Sequence, residues 1–109
     1  MQRMGMVIAI KAEAIEEYKR LHAAGSAEVN ALLSAASVRN YTIYLREPEN
    51  LLFGTWEYHG ADWSADAARL GQEPAVQAWL AQTDPCQQPL ASAKSGEWWA
   101  AMDEVFHLD

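Results

Sequence analysis

The sequence predicts a single α+β domain spanning residues 1–109, with elements in the order β-α-β-β-α-β. Three observations carry this. A run that is apolar on both faces opens the chain. Two β-branched and aromatic runs in the middle are joined by a short polar turn. Helical periodicity fills the segments before and after that pair.

Met4 to Ile10 is apolar throughout and is expected to form a buried strand. From Lys11 to His22 the period becomes helical, with Ala12, Ile15, Tyr18, Leu21 and His22 on or near one face. Glu16 and Arg20 make an i,i+4 pair in the favourable order. Gly25 and Ser26 interrupt this stretch, and Ser26 is placed to cap a second helical piece from Ala27 to Ala36; the whole is read as one helix with a kink or short break there. Val38 to Leu45 is the second strand, Arg46 to Asn50 a turn, and Leu51 to Tyr58 the strand that completes a hairpin. Ala61 or Asp62 opens a helix that runs to about Leu70. A further helical piece starts at Pro74, which suits a first turn, and ends near Thr83. Asp84 to Gly96, with two prolines and several small residues, reads as a long ordered loop. Met102 to Leu108 is expected to be the last strand. This order is the ferredoxin-like one, an antiparallel sheet with helices on one face. The bare face needs a cover, and a second copy of the chain across a twofold axis would supply one, making a dimeric α+β barrel.

The net charge is −7, from 15 acidic against 8 basic residues. No basic stripe is present to neutralise phosphates, so nucleic acid and anionic membrane surfaces are disfavoured as partners. A neutral ligand meets no such repulsion. The longest apolar stretch, Met6 to Ile10, is too short to span a bilayer. No segment at the start has the order of a signal peptide. Cys86 is the one cysteine, so neither an intrachain disulfide nor a cysteine-based zinc site can form. The expected compartment is the cytoplasm. Five tryptophans are generous for this length and must fill a core, an interface or a ligand pocket.

Tyr18 and His22 stand one helical turn apart on the same face. An imidazole that titrates near neutrality both gives and takes protons, and a neighbouring phenol can orient it or bind the same ligand. The plainer alternative makes Tyr18 a core aromatic and His22 a partly exposed helix residue. His59 precedes Gly60 at a strand end, and His107 alternates with Phe106 and Leu108. No spacing supports a metal site built from the three histidines. Tyr41 shares a strand face with Ile43 and Leu45. Trp79, like Trp56, Trp63, Trp98 and Trp99, is more often core than platform, yet an indole stacked on a sugar face is a plausible use for one of them. No Gly-rich phosphate loop, nucleophile elbow or paired-carboxylate motif occurs.

Several fragments in order resemble the L-rhamnose mutarotase family. They are Arg3-Met4-Gly5-Met6-Val7, Glu17-Tyr18-Lys19-Arg20-Leu21-His22, Arg39 to Leu45, Asn50-Leu51-Leu52-Phe53, Trp79 to Asp84, and Asp103 to Leu108. The resemblance covers nearly the whole chain. It implies a ferredoxin-like homodimer forming an α+β barrel, and an isomerase that exchanges the anomers of L-rhamnose or a related aldose. It implies that His22 is the proton donor, that Tyr18 and Tyr41 contact the sugar, and that Trp79 and Leu80 stand where the family has a Trp-Trp pair before Thr-Asp. It requires no metal, nucleotide or redox cofactor. Two departures remove aromatic surface from the expected pocket: Ser26-Ala27-Glu28 replaces a Trp-Pro-Glu stretch, and Leu80 replaces the second tryptophan. Two rivals share the architecture, which alone does not separate functions. One is a cofactor-independent or haem-degrading monooxygenase. The other is a non-catalytic sugar-binding dimer.

Overall fold

The N-terminal apolar run becomes the central strand of the sheet in the computed structural model, which describes residues 1–109. Strand β1 (Gln2–Ile10) pairs antiparallel with β3 (Leu51–Tyr58), from Gln2 opposite Tyr58 to Ala9 opposite Leu51. Strand β2 (Val38–Arg46) lies on the outer side of β3, joined to it by the Glu47–Asn50 turn. On the other edge of β1 lie two short strands, β4 (Gln87–Gln88) and β5 (Ala100–Met102). The strand order β2-β3-β1-β4, all antiparallel, is that of the ferredoxin-like α+β fold.

Each of the two crossovers holds a pair of helices. A 3₁₀ turn (Ala12–Ala14) leads into α1 (Ile15–Ala24), which stops at Gly25, where φ is 68°. Glycine takes that conformation without a Cβ penalty. Ser26 then caps α2 (Ala27–Ala35), its Oγ accepting from the Val29 N–H at 3.2 Å. In the second crossover, Asp62 caps α3 (Trp63–Gln72) by accepting from the Ala65 N–H at 3.2 Å, and Pro74 opens α4 (Pro74–Thr83). The expected cap at Ser26 and the expected helix start at Pro74 are thus the observed ones, and of the two residues expected to open α3 it is Asp62 that caps it.

The helices cover the sheet face bearing Met4, Met6, Ile8 and Ile10 of β1 and Leu52, Trp56 and Tyr58 of β3. Ile8, Leu52 and Tyr58 are sealed almost completely. Cys86 lies in the same core, and burial pushes its thiol pKa up, so it is packing material. The opposite face carries Val7, Phe53 and Tyr44 in mutual register and has no helix on it.

The C-terminal segment differs from expectation. The last strand is Ala100–Met102 and does not run from Met102 to Leu108; residues 103–109 pair with no strand. Val105, Phe106 and Leu108 are 94%, 78% and 80% exposed. Alternating apolar residues become a strand only by pairing with a sheet edge, and this segment pairs with neither edge of its own sheet. The Asp84–Gly96 loop also carries more structure than expected: a 3₁₀ turn (Asp84–Cys86) and then β4.

Candidate active site

Between the helices and the curled sheet lies a cavity of about 540 Å³, inside the range of roughly 300–1,000 Å³ usual for small-molecule sites. Its walls come from α1, α2, β2, α4 and the segment after α4. Helical spacing brings Tyr18 and His22 of α1 to one wall, with ring centroids 4.2 Å apart. Trp79 of α4 meets the His22 ring edge-on at 5.2 Å. Leu80 lines the wall beside it.

Tyr41 arrives by a local irregularity. The β2–β3 register shifts between Arg39 and Thr42, so Asn40 and Tyr41 together stand opposite Trp56. This is a β-bulge, and Asn40 absorbs it with φ at 53° while its amide donates to Glu57 at 3.0 Å. The bulge turns Tyr41 into the cavity, its ring stacked 6.3 Å from Trp56. All five residues singled out in the sequence, His22, Tyr18, Tyr41, Trp79 and Leu80, therefore line one cavity.

The His22 ring is held in a defined way. Its Nδ1 lies 2.9 Å from the carbonyl oxygen of Tyr18. A carbonyl only accepts, so Nδ1 carries a hydrogen and donates it. The neutral ring then has its lone pair on Nε2, and the protonated ring has a second N–H there. Either way Nε2 is the atom available to a ligand.

Burial pushes the Tyr18 pKa up to about 12, against the smaller opposing effect of the Gln87 amide, which donates to the phenol at 3.0 Å. Tyr41 is also raised, first by crowding about its hydroxyl end and then by the nearby Tyr18, although 40% of the whole residue stays open. Both phenols are neutral donors at ordinary pH.

Several lining groups are not among the five site residues singled out in the sequence. Gln87 and Thr83 are polar yet only 5% and 3% exposed. Gln87 sits in a segment whose composition reads as loop, and only the pairing of β4 with β1 brings it under α1. Lys19, Ser26 and Asn30 also face the cavity. So does Trp99, whose ring lies over Gly54: a Cβ there would be in ordinary contact with Trp99 Cζ3 at 3.5 Å and would crowd Met6 Cε at 3.0 Å. Trp99 supplies a second indole surface to a pocket in which Leu80 stands beside Trp79 on α4. The remaining histidines lie elsewhere, His59 bonded to Glu57 and His107 to Asp109. No group of three or more metal-ligating side chains converges.

Fold and cavity together define a small ferredoxin-like α+β protein with an imidazole and two neutral phenols facing a space that admits a small molecule. Residues 3–108 match the L-rhamnose mutarotase family. The L-rhamnose mutarotase of Shigella boydii serotype 18 is 32% identical over 106 residues, covering 96% of this chain and 84% of that one. The L-rhamnose mutarotase of Escherichia coli O1:K1 is equally similar, with 80% of its length covered. The crystal structure of the L-rhamnose mutarotase of Formosa agariphila superposes with a TM-score of 0.78 at 19% identity, covering all of both chains. Tetracenomycin F2 cyclase from Streptomyces glaucescens, a type-II polyketide cyclase, shares the fold with a TM-score of 0.71 at 13% identity, covering 100% of this chain and 98% of that one. This chain belongs to the L-rhamnose mutarotase family.

Proposed function

We propose that the protein is an aldose mutarotase that exchanges the α and β anomers of L-rhamnose or a closely related sugar, with His22 as its acid/base group. Family membership supports the reaction class. The observation that carries the assignment to His22 is its clamped imidazole, which leaves Nε2 to the cavity beside two neutral phenols. In the reaction, protonated His22 gives the Nε2 proton to the ring oxygen as the C1–O5 bond breaks. The anomeric hydroxyl loses its proton to a second group or to water as the C1 carbonyl forms. Rotation about C1–C2 turns the other carbonyl face to O5, and the reverse transfers close the ring. Tyr18 and Tyr41 hold sugar oxygens, and Trp79 and Leu80 form the apolar wall. Every proton is returned, so no metal or cofactor is needed. General acid/base assistance of this kind is worth about 10² to 10⁴ in rate.

Anomer exchange measured by saturation-transfer NMR tests the assignment. His22→Ala should lose about 10²-fold or more of the enzyme-dependent rate while keeping the circular dichroism of the parent. An unchanged rate would remove His22 from the mechanism. Sugar binding with no accelerated exchange in the parent protein would favour a non-catalytic binder.

The acidic charge supports a neutral sugar as partner in place of nucleic acid or an anionic membrane. No helix is long and apolar enough to cross a membrane. The reading includes the cytoplasm as compartment. It also includes a homodimer, which the helix-free sheet face and the exposed apolar tail support.

A further inference from the structure

Two buried groups and one loop tryptophan form a chain of hydrogen bonds that the reaction itself does not require. The Trp98 indole N–H donates to Gln87 Oε1 at 2.8 Å, and Gln87 Nε2 donates to the Tyr18 hydroxyl at 3.0 Å. Tyr18 and Gln87 are 69 positions apart in sequence, so the chain ties α1 to β4 and to the loop before β5. That loop is itself fastened. The Glu97 carboxylate accepts from the backbone N–H of Lys94 at 2.8 Å and of Ala101 at 3.3 Å.

The polarity of this chain follows from chemistry. An indole N–H can only donate, so it fixes which end of the Gln87 amide faces Trp98: the oxygen. The NH₂ end must then face Tyr18, and the phenol oxygen must accept. Its own hydrogen cannot point back at the amide. The Tyr18 hydroxyl makes no other hydrogen bond to the protein, and Tyr18 lines the cavity. An unpaired donor beside the cavity is satisfied by an acceptor in the cavity.

We propose that Trp98 and Gln87 are positioning residues that make Tyr18 a one-way donor, so that the site selects a sugar presenting an acceptor oxygen to that phenol. The inference rests on the cavity being the sugar site. Neither residue touches the reacting atoms.

Gln87→Glu is the most direct test, because a carboxylate there accepts from both neighbours and draws the Tyr18 proton away from the cavity. It should reduce enzyme-dependent exchange roughly tenfold, the scale of one hydrogen bond. Trp98→Phe releases the amide to rotate and should reduce it by a few-fold. Should Gln87→Glu fail to fold, Gln87→Leu takes its place. In a Tyr18→Phe background the position-87 and position-98 changes should have no further effect. A full additional loss there would overturn the proposal, because a merely structural role does not depend on the phenol.

A second readout needs no activity. In ¹H–¹⁵N spectra of the sugar-free protein, Gln87→Leu should move the Trp98 indole signal, itself assigned by its loss in Trp98→Phe. Tyr18→Phe should move the Gln87 side-chain amide pair. An indole signal that stays in place would overturn the chain whatever the sugar kinetics. Parent protein that fails to speed exchange would instead sink the mutarotase reading, and the same cycle would then be run on dissociation constants for L-rhamnose. Additivity of those constants would also overturn the proposal.

Discussion

A phenol that keeps its proton two pH units longer than usual has a measurable cost in alkali. Unfolded, Tyr18 titrates near the ordinary value of about 10; folded, it holds its proton to about 12. The unfolded chain therefore loses that proton first. Stability should be undiminished below about pH 10 and should fall as pH rises toward 12. Melting temperatures taken from about pH 8 to about pH 11 should show the decline, and Tyr18→Phe should make it shallower. An identical slope in that variant would mean that Tyr18 is not the protected group. Tyr41, raised for the same reason, keeps part of the decline in place. Such variants are clean probes, because the partner that holds His22 Nδ1 is the main-chain carbonyl of Tyr18. Changing the side chain at 18 removes the phenol and leaves the tautomer of the imidazole as it was.

The break between α1 and α2 illustrates how local chemistry sets an element. Gly25 ends one helix in a positive-φ conformation and Ser26 starts the next with a side-chain cap. Ser26→Ala should cost about 1 kcal/mol of stability, the usual value of such a cap, measured by urea unfolding. A loss below a few tenths would show that packing alone holds the α2 start. The elements that sequence periodicity located well are those with such markers: a cap, a first-turn proline, or the Arg46–Asn50 turn between two β-branched runs. The two that it misplaced have none. The tail from Asp103 to Leu108 alternates like a strand but pairs with no strand. β4 is two residues long and is defined only by its partner, Ile10 with Ala9. The site follows the same division. Tyr18 and His22 were visible from helical spacing, and Tyr41, Trp79 and Leu80 through the family fragments. Gln87 and Trp99 are brought to the cavity by the long-range pairing of β4 and β5 with β1, which periodicity does not encode.

At the scale of the whole molecule, the sheet has one helix-covered face and one bare face, and the apolar tail runs beside the bare one. Phe106 and His107 share a groove with Thr42, Thr55 and Met102 there. Sedimentation or light scattering should give twice the chain mass of 12.1 kDa. Phe106→Asp with Val105→Asp should shift the mass toward one chain. Parent protein of single-chain mass at micromolar concentration would remove the homodimer.

The cavity also bears on how this fold responds to heat. Only 15 of 109 residues are buried, and about 540 Å³ between sheet and helices is open volume rather than packed side chain. A molecule that fills this hollow contributes contacts the polypeptide itself lacks. By mass action, a sugar at a hundred times its dissociation constant should add about 2.7 kcal/mol. Differential scanning fluorimetry across an aldose panel should therefore rank the sugars by the rise each gives in melting point, and a flat response to all of them would mean that the hollow holds only water.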